Sequence, residues 1–352
     1  MPLMADRNRI PDHFEAGGSA PTVNVLETAE APRRCVRVGL INNMPDSALR
    51  DTESQFFKML AAAAGDLPVH ISLYSLPEIS RDEQGKRHVS SFYRSIDDLP
   101  NSRLDAIIVT GSEPRQADLR QEPYWSRLAA LLDWAETNTK SVVLSCLAAH
   151  ASVFHSDGIE RRPLSEKRCG VFDQSVVRSH ALTEGVSGAM GFPHSRWNEV
   201  REEELSAAGY MILTKSARAG VDLFAKKKRR SLFVHFQGHP EYGARTLLKE
   251  YRRDVGRYLR QERETYPSMP SGYFDSESVK LATDFQERAQ SKRDAELVAD
   301  FPSEELARGL RHHWRSAALQ IYGNWLQYVA ARKIEPPRLA ATASSSCRPR
   351  PY

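Results

Sequence analysis

Three residues in this chain have the types that acyl-transfer chemistry needs. Cys146 follows Ser141-Val142-Val143-Leu144-Ser145, a short apolar run read as a buried parallel strand. It precedes Leu147-Ala148-Ala149-His150-Ala151, small residues compatible with a helix. A nucleophile at such a strand-to-helix turn is pushed out at the carboxyl end of a sheet, and the helix N-terminus facing it favours the thiolate. Far downstream, Gln237-Gly238-His239-Pro240-Glu241-Tyr242 supplies a histidine and an acid two residues apart. Pro240 biases His239 towards an extended conformation, and an extended backbone would point His239 and Glu241 to the same side. Cysteine can attack a carbonyl, histidine can take and return the proton, and the acid can hold the imidazole in one tautomer. The tetrahedral oxyanion would need donors, and the backbone N–H groups of Leu147 and of the Gly111-Ser112 turn, with Ser112 as the second candidate, are the natural sources. The competing readings are a buried, inert thiol for Cys146 and a β-turn with a surface ion pair for His239 and Glu241.

The elements around these residues weigh on the choice. Val36–Ile41, Val69–Tyr74 and Asp105–Val109 read as strands, and Asp51–Leu60 and Trp125–Thr137 as helices between them. With the cysteine strand and its helix, this alternation predicts a parallel sheet covered on both faces. Ligands bind outside the carboxyl ends of such strands. Asn42-Asn43-Met44-Pro45, Thr110-Gly111-Ser112-Glu113 and Cys146 all fall there. Residues 78–99 read as polar and irregular. The second half is more β-like, with strands expected over Gly170–Val177, Tyr210–Leu213, Leu223–Ala225 and Ser231–Phe236, and Lys226–Arg230 as a solvated hairpin tip. A helix is expected over Leu247–Leu259 and a long one over Phe301–Arg332. The division that follows is an arm over 1–34, an α/β domain over 35–262, a C-terminal helical extension packing on it over 263–335, and a disordered, low-complexity tail over 336–352.

Bulk properties narrow the class. With 352 residues, 41% hydrophobic and 27% charged, the chain suits a globular protein with a sizeable core. A net charge of +4 is too small at this length to imply nucleic-acid or membrane binding. Cys35, Cys146, Cys169 and Cys347 are widely spaced, without a CxxC pair or a Cys/His cluster at metal-ligand spacing, which fits a reducing compartment and no metal. The stretch from Met1 to Ala20 has no apolar core of a secretory signal, so a cytoplasmic location is expected.

The ordered motifs carry a resemblance. Val38-Gly39-Leu40-Ile41-Asn42-Asn43-Met44-Pro45, Thr52-Glu53-Ser54-Gln55-Phe56, Val109-Thr110-Gly111, Tyr124-Trp125, Cys146, Glu166-Lys167, Pro193-His194-Ser195-Arg196, Gly238-His239-Pro240-Glu241-Tyr242, Arg253-Asp254, Trp314-Arg315-Ser316 and Asn324-Trp325-Leu326 follow one another in order. The chain thus resembles the homoserine O-acyltransferases of the transsuccinylase type, relatives of the class I glutamine amidotransferases, over roughly residues 36 to 331. The resemblance implies a class I glutamine amidotransferase-like parallel sheet flanked by helices. It places the nucleophile on Cys146, the base on His239 and its supporting acid on Glu241. It places substrate contacts on Lys167, Ser195 and Arg253, whose types suit an amino-acid acceptor.

Departures accompany it. Asp46–Asp51 stands where the family has a shorter, lysine-bearing link. Ser112-Glu113-Pro114-Arg115 replaces an Ala-Pro pattern, which puts Arg115 at the position tied to acyl choice. Leu147 and His150 stand where tryptophan and glutamine are usual. The expected function is acyl transfer from succinyl- or acetyl-CoA, as co-substrate, to the hydroxyl of homoserine or a related amino acid through a cysteine thioester, in methionine biosynthesis. No permanently bound cofactor is expected, and the partners are small molecules, with a homodimer left open. The alternatives are an amide hydrolase of the glutamine amidotransferase type using the same triad, and a non-catalytic homologue that binds acyl-CoA or an amino acid.

Overall fold

The computed structural model describes residues 3–6, 9–11, 14, 24–26, 34–187 and 190–334. The tail 336–352 lies outside the described residues, as do most of the arm and Cys347. In chain order the elements are β1 (Leu3–Asp6), β2 (Asn24–Leu26), β3 (Val36–Ile41), α1 (Asp46–Ala63), β4 (Val69–Tyr74), α2 (Glu83–Phe92), β5 (Ala106–Val109), α3 (Trp125–Asn138), β6 (Ser141–Ser145), α4 (Leu147–Asp157), β7 (Arg162–Val176), β8 (Met190–Glu199), α5 (Glu202–Ala207), β9 (Met211–Ile212), β10 (Thr214–Ser216), β11 (Gly220–Val221), β12 (Leu223–Lys228), β13 (Ser231–Phe236), α6 (Thr246–Leu259), α7 (Ser276–Ser291), α8 (Ser303–Arg308) and α9 (Arg315–Ile334).

Uninterrupted apolar runs make strands that are buried on both faces, and here they build one large sheet in the order β2-β1-β4-β3-β5-β6-β13-β12-β9. Its centre is parallel, with Ile41 beside Val109, Ile108 beside Val143, and Val143 beside Val234. The order reverses between β3 and β5, and this is where an open α/β sheet leaves a crevice at its carboxyl edge. Two apolar clusters lie on opposite faces. One gathers Phe56, Phe57 and Leu60 of α1 with Trp314, Tyr322 and Trp325, and the other gathers Leu128, Leu131 and Leu132 of α3 with Ala148 and Ala149 of α4. The expected architecture of a mostly parallel sheet flanked by helices, with further helices after it, is the one observed. A second sheet, ordered β11-β10-β7-β8, carries Lys167 and Ser195.

Several local expectations are corrected. Residues 83–92 form α2, started by Asp82, whose side chain accepts from the Gly85 N–H at 2.7 Å. The link Asp46–Asp51 is not a loop but the first turns of α1. The basic run is mostly strand: Lys226–Lys228 belong to β12, and only Arg229-Arg230 turn, with Arg229 at φ 44°. The run does end the β12–β13 hairpin, with Lys227, Arg229 and Arg230 exposed, but Lys228 is buried and donates to Ser156. The long C-terminal helix is interrupted between α8 and α9. Of the arm, β1 and β2 join the sheet edge in parallel, beside β4.

The C-terminal helices brace the sheet. The Trp325 indole N–H donates to Ser141 Oγ at 2.9 Å, beneath the cysteine strand, and Tyr322 stacks on Phe236 at the end of β13. Lys333 Nζ donates at 2.7 Å to the Cys35 carbonyl and to Asp105. Among the described residues, no helix is long and apolar enough to cross a membrane.

Candidate active site

Cys146 sits between β6 and α4 at φ 51° and ψ −109°, a conformation that L-residues rarely adopt. That turn lifts the side chain out of the sheet and aims the free N–H groups of the first turn of α4 past it. The Cys146 N–H donates to the Phe236 carbonyl at 2.8 Å. Because β6 and β13 run parallel, with Ser145 beside Phe236, both strands end at one level. The sulfur and the residues that follow β13 therefore meet at the same edge. Gly111 presses on the next peptide: a Cβ built there would lie 3.2 Å from the Leu147 nitrogen. The Gly111-Ser112 turn and the Leu147 N–H, the two expected oxyanion sources, are thus adjacent.

The chain leaving β13 forms a tight turn, in which the Tyr242 N–H donates to the His239 carbonyl at 3.1 Å. The backbone is a turn rather than extended, yet His239 Nδ1 and Glu241 Oε1 lie 2.8 Å apart, and both residues are buried. The competing surface pair is excluded by that burial. Ser145 Oγ donates to the same Glu241 oxygen at 3.1 Å, and the His239 ring stacks on Tyr242 at 4.2 Å between centroids. Burial alone would push the imidazole down. The Glu241 carboxylate and the Cys146 sulfur, a hydrogen-bond partner of His239, outweigh it and hold His239 well above the ordinary histidine value. Burial pushes the Cys169 thiol up to about 12 and also raises Cys35.

The turn is pinned from below by residues the sequence did not point to. Asp222, fully buried, accepts from the Gly238 N–H at 2.7 Å, and the His239 N–H donates to the Pro193 carbonyl at 2.7 Å. Burial, offset only in part by Gly238 and Arg196, pushes Asp222 up to about 6. Gln237 fixes its own amide: Oε1 accepts from the Val200 N–H, and Nε2 donates to the Val200 and Val221 carbonyls. Its oxygen therefore accepts from His150 Nε2 at 3.0 Å. Burial, then the charge of Arg196, pushes His150 down to about 3, so it is neutral. His150 is thus a donor to this turn.

Cys146, His239 and Glu241 open into a cavity of about 850 Å³, also lined by Leu147, Ser112, Lys167, Ser195 and Arg253. The structure brings all of these together. Lys167 Nζ donates to Asp254 at 2.8 Å and lies 3.5 Å from Glu250, and Arg253 pairs with Asp254 at 2.9 Å. Burial opposes the charge on Lys167, but Glu250 and other neighbours raise it above the usual lysine value. Glu250 also accepts from Ser195 Oγ, and from Tyr242 Oη at 2.7 Å. Two cations and two carboxylates thus share one wall, a match for the two charges of an amino acid. Glu250 escaped the sequence reading, although its spacing of four from Asp254 on a predicted helix was a signal. Arg115 is not brought into the site. Glu122 accepts from both the Arg115 and Gln116 N–H groups, at 2.6 and 2.7 Å, turning the loop so that Arg115 is exposed and absent from the cavity wall. Among the described residues, no cluster of His, Cys, Asp and Glu is suited to a metal ion.

Fold and site together place a cysteine, a histidine and a glutamate at the carboxyl edge of a parallel α/β sheet, an arrangement capable of nucleophilic chemistry. A family model described as homoserine O-succinyltransferase matches residues 18–335. The homoserine O-succinyltransferase of Rhodopseudomonas palustris is 44% identical over 301 residues, covering 86% of this chain and 90% of that protein. That of Bradyrhizobium japonicum is 47% identical over 297 residues, covering 83% and 90%. Among solved structures, a glutamine amidotransferase from Thermotoga maritima is similar at 10% identity and a TM-score of 0.46, covering 84% of this chain and 98% of that one. The chain belongs to the homoserine O-succinyltransferase family, and it is an acyltransferase.

Proposed function

We propose that the protein transfers a succinyl group from succinyl-CoA to the hydroxyl of L-homoserine through a thioester on Cys146. The observation that carries the reading is the buried His239–Glu241 pair beside Cys146, in one cavity with the Lys167, Arg253, Glu250 and Asp254 wall. In the first step Cys146 Sγ attacks the thioester carbon of the donor. The oxyanion is met by the Leu147 N–H and by the Ser112 turn, and His239 gives its proton to the departing CoA sulfur. The second step runs in reverse: His239 takes the proton of the acceptor hydroxyl, whose oxygen attacks the Cys146 thioester, and the O-acyl product leaves with the thiol restored. Glu241 holds the imidazole with Nε2 towards the sulfur and stabilises its charge. Lys167 and Arg253 suit the acceptor's carboxylate, Glu250 and Asp254 its ammonium group, and Ser195 its orientation. Acyl-CoA serves as a co-substrate, and the chemistry asks for no resident cofactor.

Intact-protein mass spectrometry tests the reading. Incubation with succinyl-CoA is expected to add a succinyl mass to Cys146, and homoserine is expected to discharge it as product. Transfer that persists in Cys146→Ala, or ammonia release from glutamine with no adduct from acyl-CoA, would overturn it.

A further inference from the structure

A succinyl group differs from a simple acyl group in ending in a carboxylate, and binding it asks for a cation near the sulfur whose charge is not already spent. Arg115 lies outside the cavity wall. Within the wall, Lys167 and Arg253 pair with Asp254 and are already assigned to the acceptor amino acid. Lys249 is paired with Asp51 and Arg257 with Glu113, and Arg263, also without a carboxylate partner, is turned to the Thr265 carbonyl and hydroxyl. Arg196 gives its nitrogens to the Asn198 and Ala219 carbonyls and to His194, and lies 3.8 Å from Glu199.

Arg161 differs. It lines the cavity, and among the described residues no carboxylate is ion-paired with it, although Glu122 and Asp118 act on its charge more strongly than the Cys146 sulfur does. Its Nη2 donates to the Gln116 and Ala117 carbonyls, each at 2.9 Å. Those carbonyls belong to the loop leaving Gly111, the loop that Glu122 fixes through the Arg115 and Gln116 N–H groups. The guanidinium's direct partners are therefore neutral carbonyls on Nη2, which leaves another edge for a planar anion.

We propose that Arg161 is the specificity-determining residue for the acyl group, binding the terminal carboxylate of a succinyl donor whose thioester carbon lies at Cys146. This rests on the thioester reading but is tested separately from it. Butyryl-CoA is the probe, since it has a methyl group where succinyl-CoA has its carboxylate. Rates of O-acylhomoserine formation are measured with both donors for the wild type, Arg161→Met and Arg161→Lys. In Arg161→Met the ratio of kcat/KM for succinyl-CoA over butyryl-CoA is expected to fall about 100-fold, with a smaller fall in Arg161→Lys. A ratio unchanged in Arg161→Met overturns the proposal, including the case in which both rates fall together because the loop has lost its clamp. A wild type that forms no adduct on Cys146 defeats the thioester reading instead, while the donor ratio still decides the role of Arg161.

Discussion

Glu241 never meets a substrate carbonyl in this scheme, yet its hydrogen bond to His239 at 2.8 Å decides what that imidazole can do. Glu241→Gln is expected to lower kcat by roughly 100-fold or more, because the amide can present the wrong group to Nδ1 and cannot stabilise the imidazolium. Steady-state kinetics with folding checked by circular dichroism decides this, and a loss below threefold would remove Glu241 from the mechanism. The pH dependence has a definite sign. A proton held more tightly by folded His239 than by the unfolded chain contributes stability that is whole below about pH 6.5 and is lost as pH rises through the elevated folded value. The stability gap between wild type and Glu241→Gln, from urea titrations, is therefore expected to be widest on the acid side and to narrow at alkaline pH. Asp222 has the same sign, with its window between the ordinary aspartate value and about 6. The grouping of Cys146, His239 and Glu241 was legible in the sequence because each sits at a recognisable chain feature, a strand end or a Gly-X-Pro turn. Asp222 and Arg161 were not, since nothing local distinguishes a buried aspartate after a two-residue strand, or one arginine of a pair, from its surface counterparts. Arg115 misled for a related reason: the path of its loop is set by Glu122, seven residues on.

At the level of elements, the His239 turn fits closely where it crosses β8. A Cβ on Gly238 would stand 2.8 Å from the Pro193 carbonyl oxygen and 2.9 Å from Asp222, both parts of the framework that holds the turn. Gly238→Ala is expected to cost about 1–3 kcal/mol of stability and to lower kcat at least tenfold. Unfolding curves and kinetics together check it, and a wild-type kcat would show that the turn tolerates displacement. The central strands were legible almost to the residue, because buried parallel strands are plain apolar runs. The strand β8 was not, although Pro193-His194-Ser195-Arg196 was noted as a motif. Its polar residues point to the cavity and to buried partners such as Gln174, so it lacks the alternation that marks a strand. Helix α2 hid for the converse reason, being polar over most of its length with Gly85 and His88 as its buried residues.

Across the whole molecule, the C-terminal helices do more than cover one face of the sheet. The Trp314 indole N–H donates to the Tyr242 carbonyl at 2.8 Å, so the turn bearing His239 and Glu241 is tied to the start of α9. Trp314→Phe keeps most of the buried ring and removes that bond. It is expected to cost about 1–3 kcal/mol and to lower kcat severalfold with little change in KM, as measured by thermal unfolding and steady-state kinetics; an unaltered kcat would make the contact purely structural. The sequence showed an ordered set of motifs running to Asn324-Trp325-Leu326, but not why residues so far from the cysteine matter. The reason is tertiary: they reach back under Ser141, Phe236 and Tyr242.

That reach sets an order of events during synthesis. Tyr242 and Trp314 are 72 residues apart, and the indole that steadies the turn emerges from the ribosome long after the turn itself. The sheet, the cysteine elbow and the histidine can all be assembled while the turn still lacks its far anchor. A growing chain therefore holds Cys146 and the His239 turn before it holds the indole that anchors that turn.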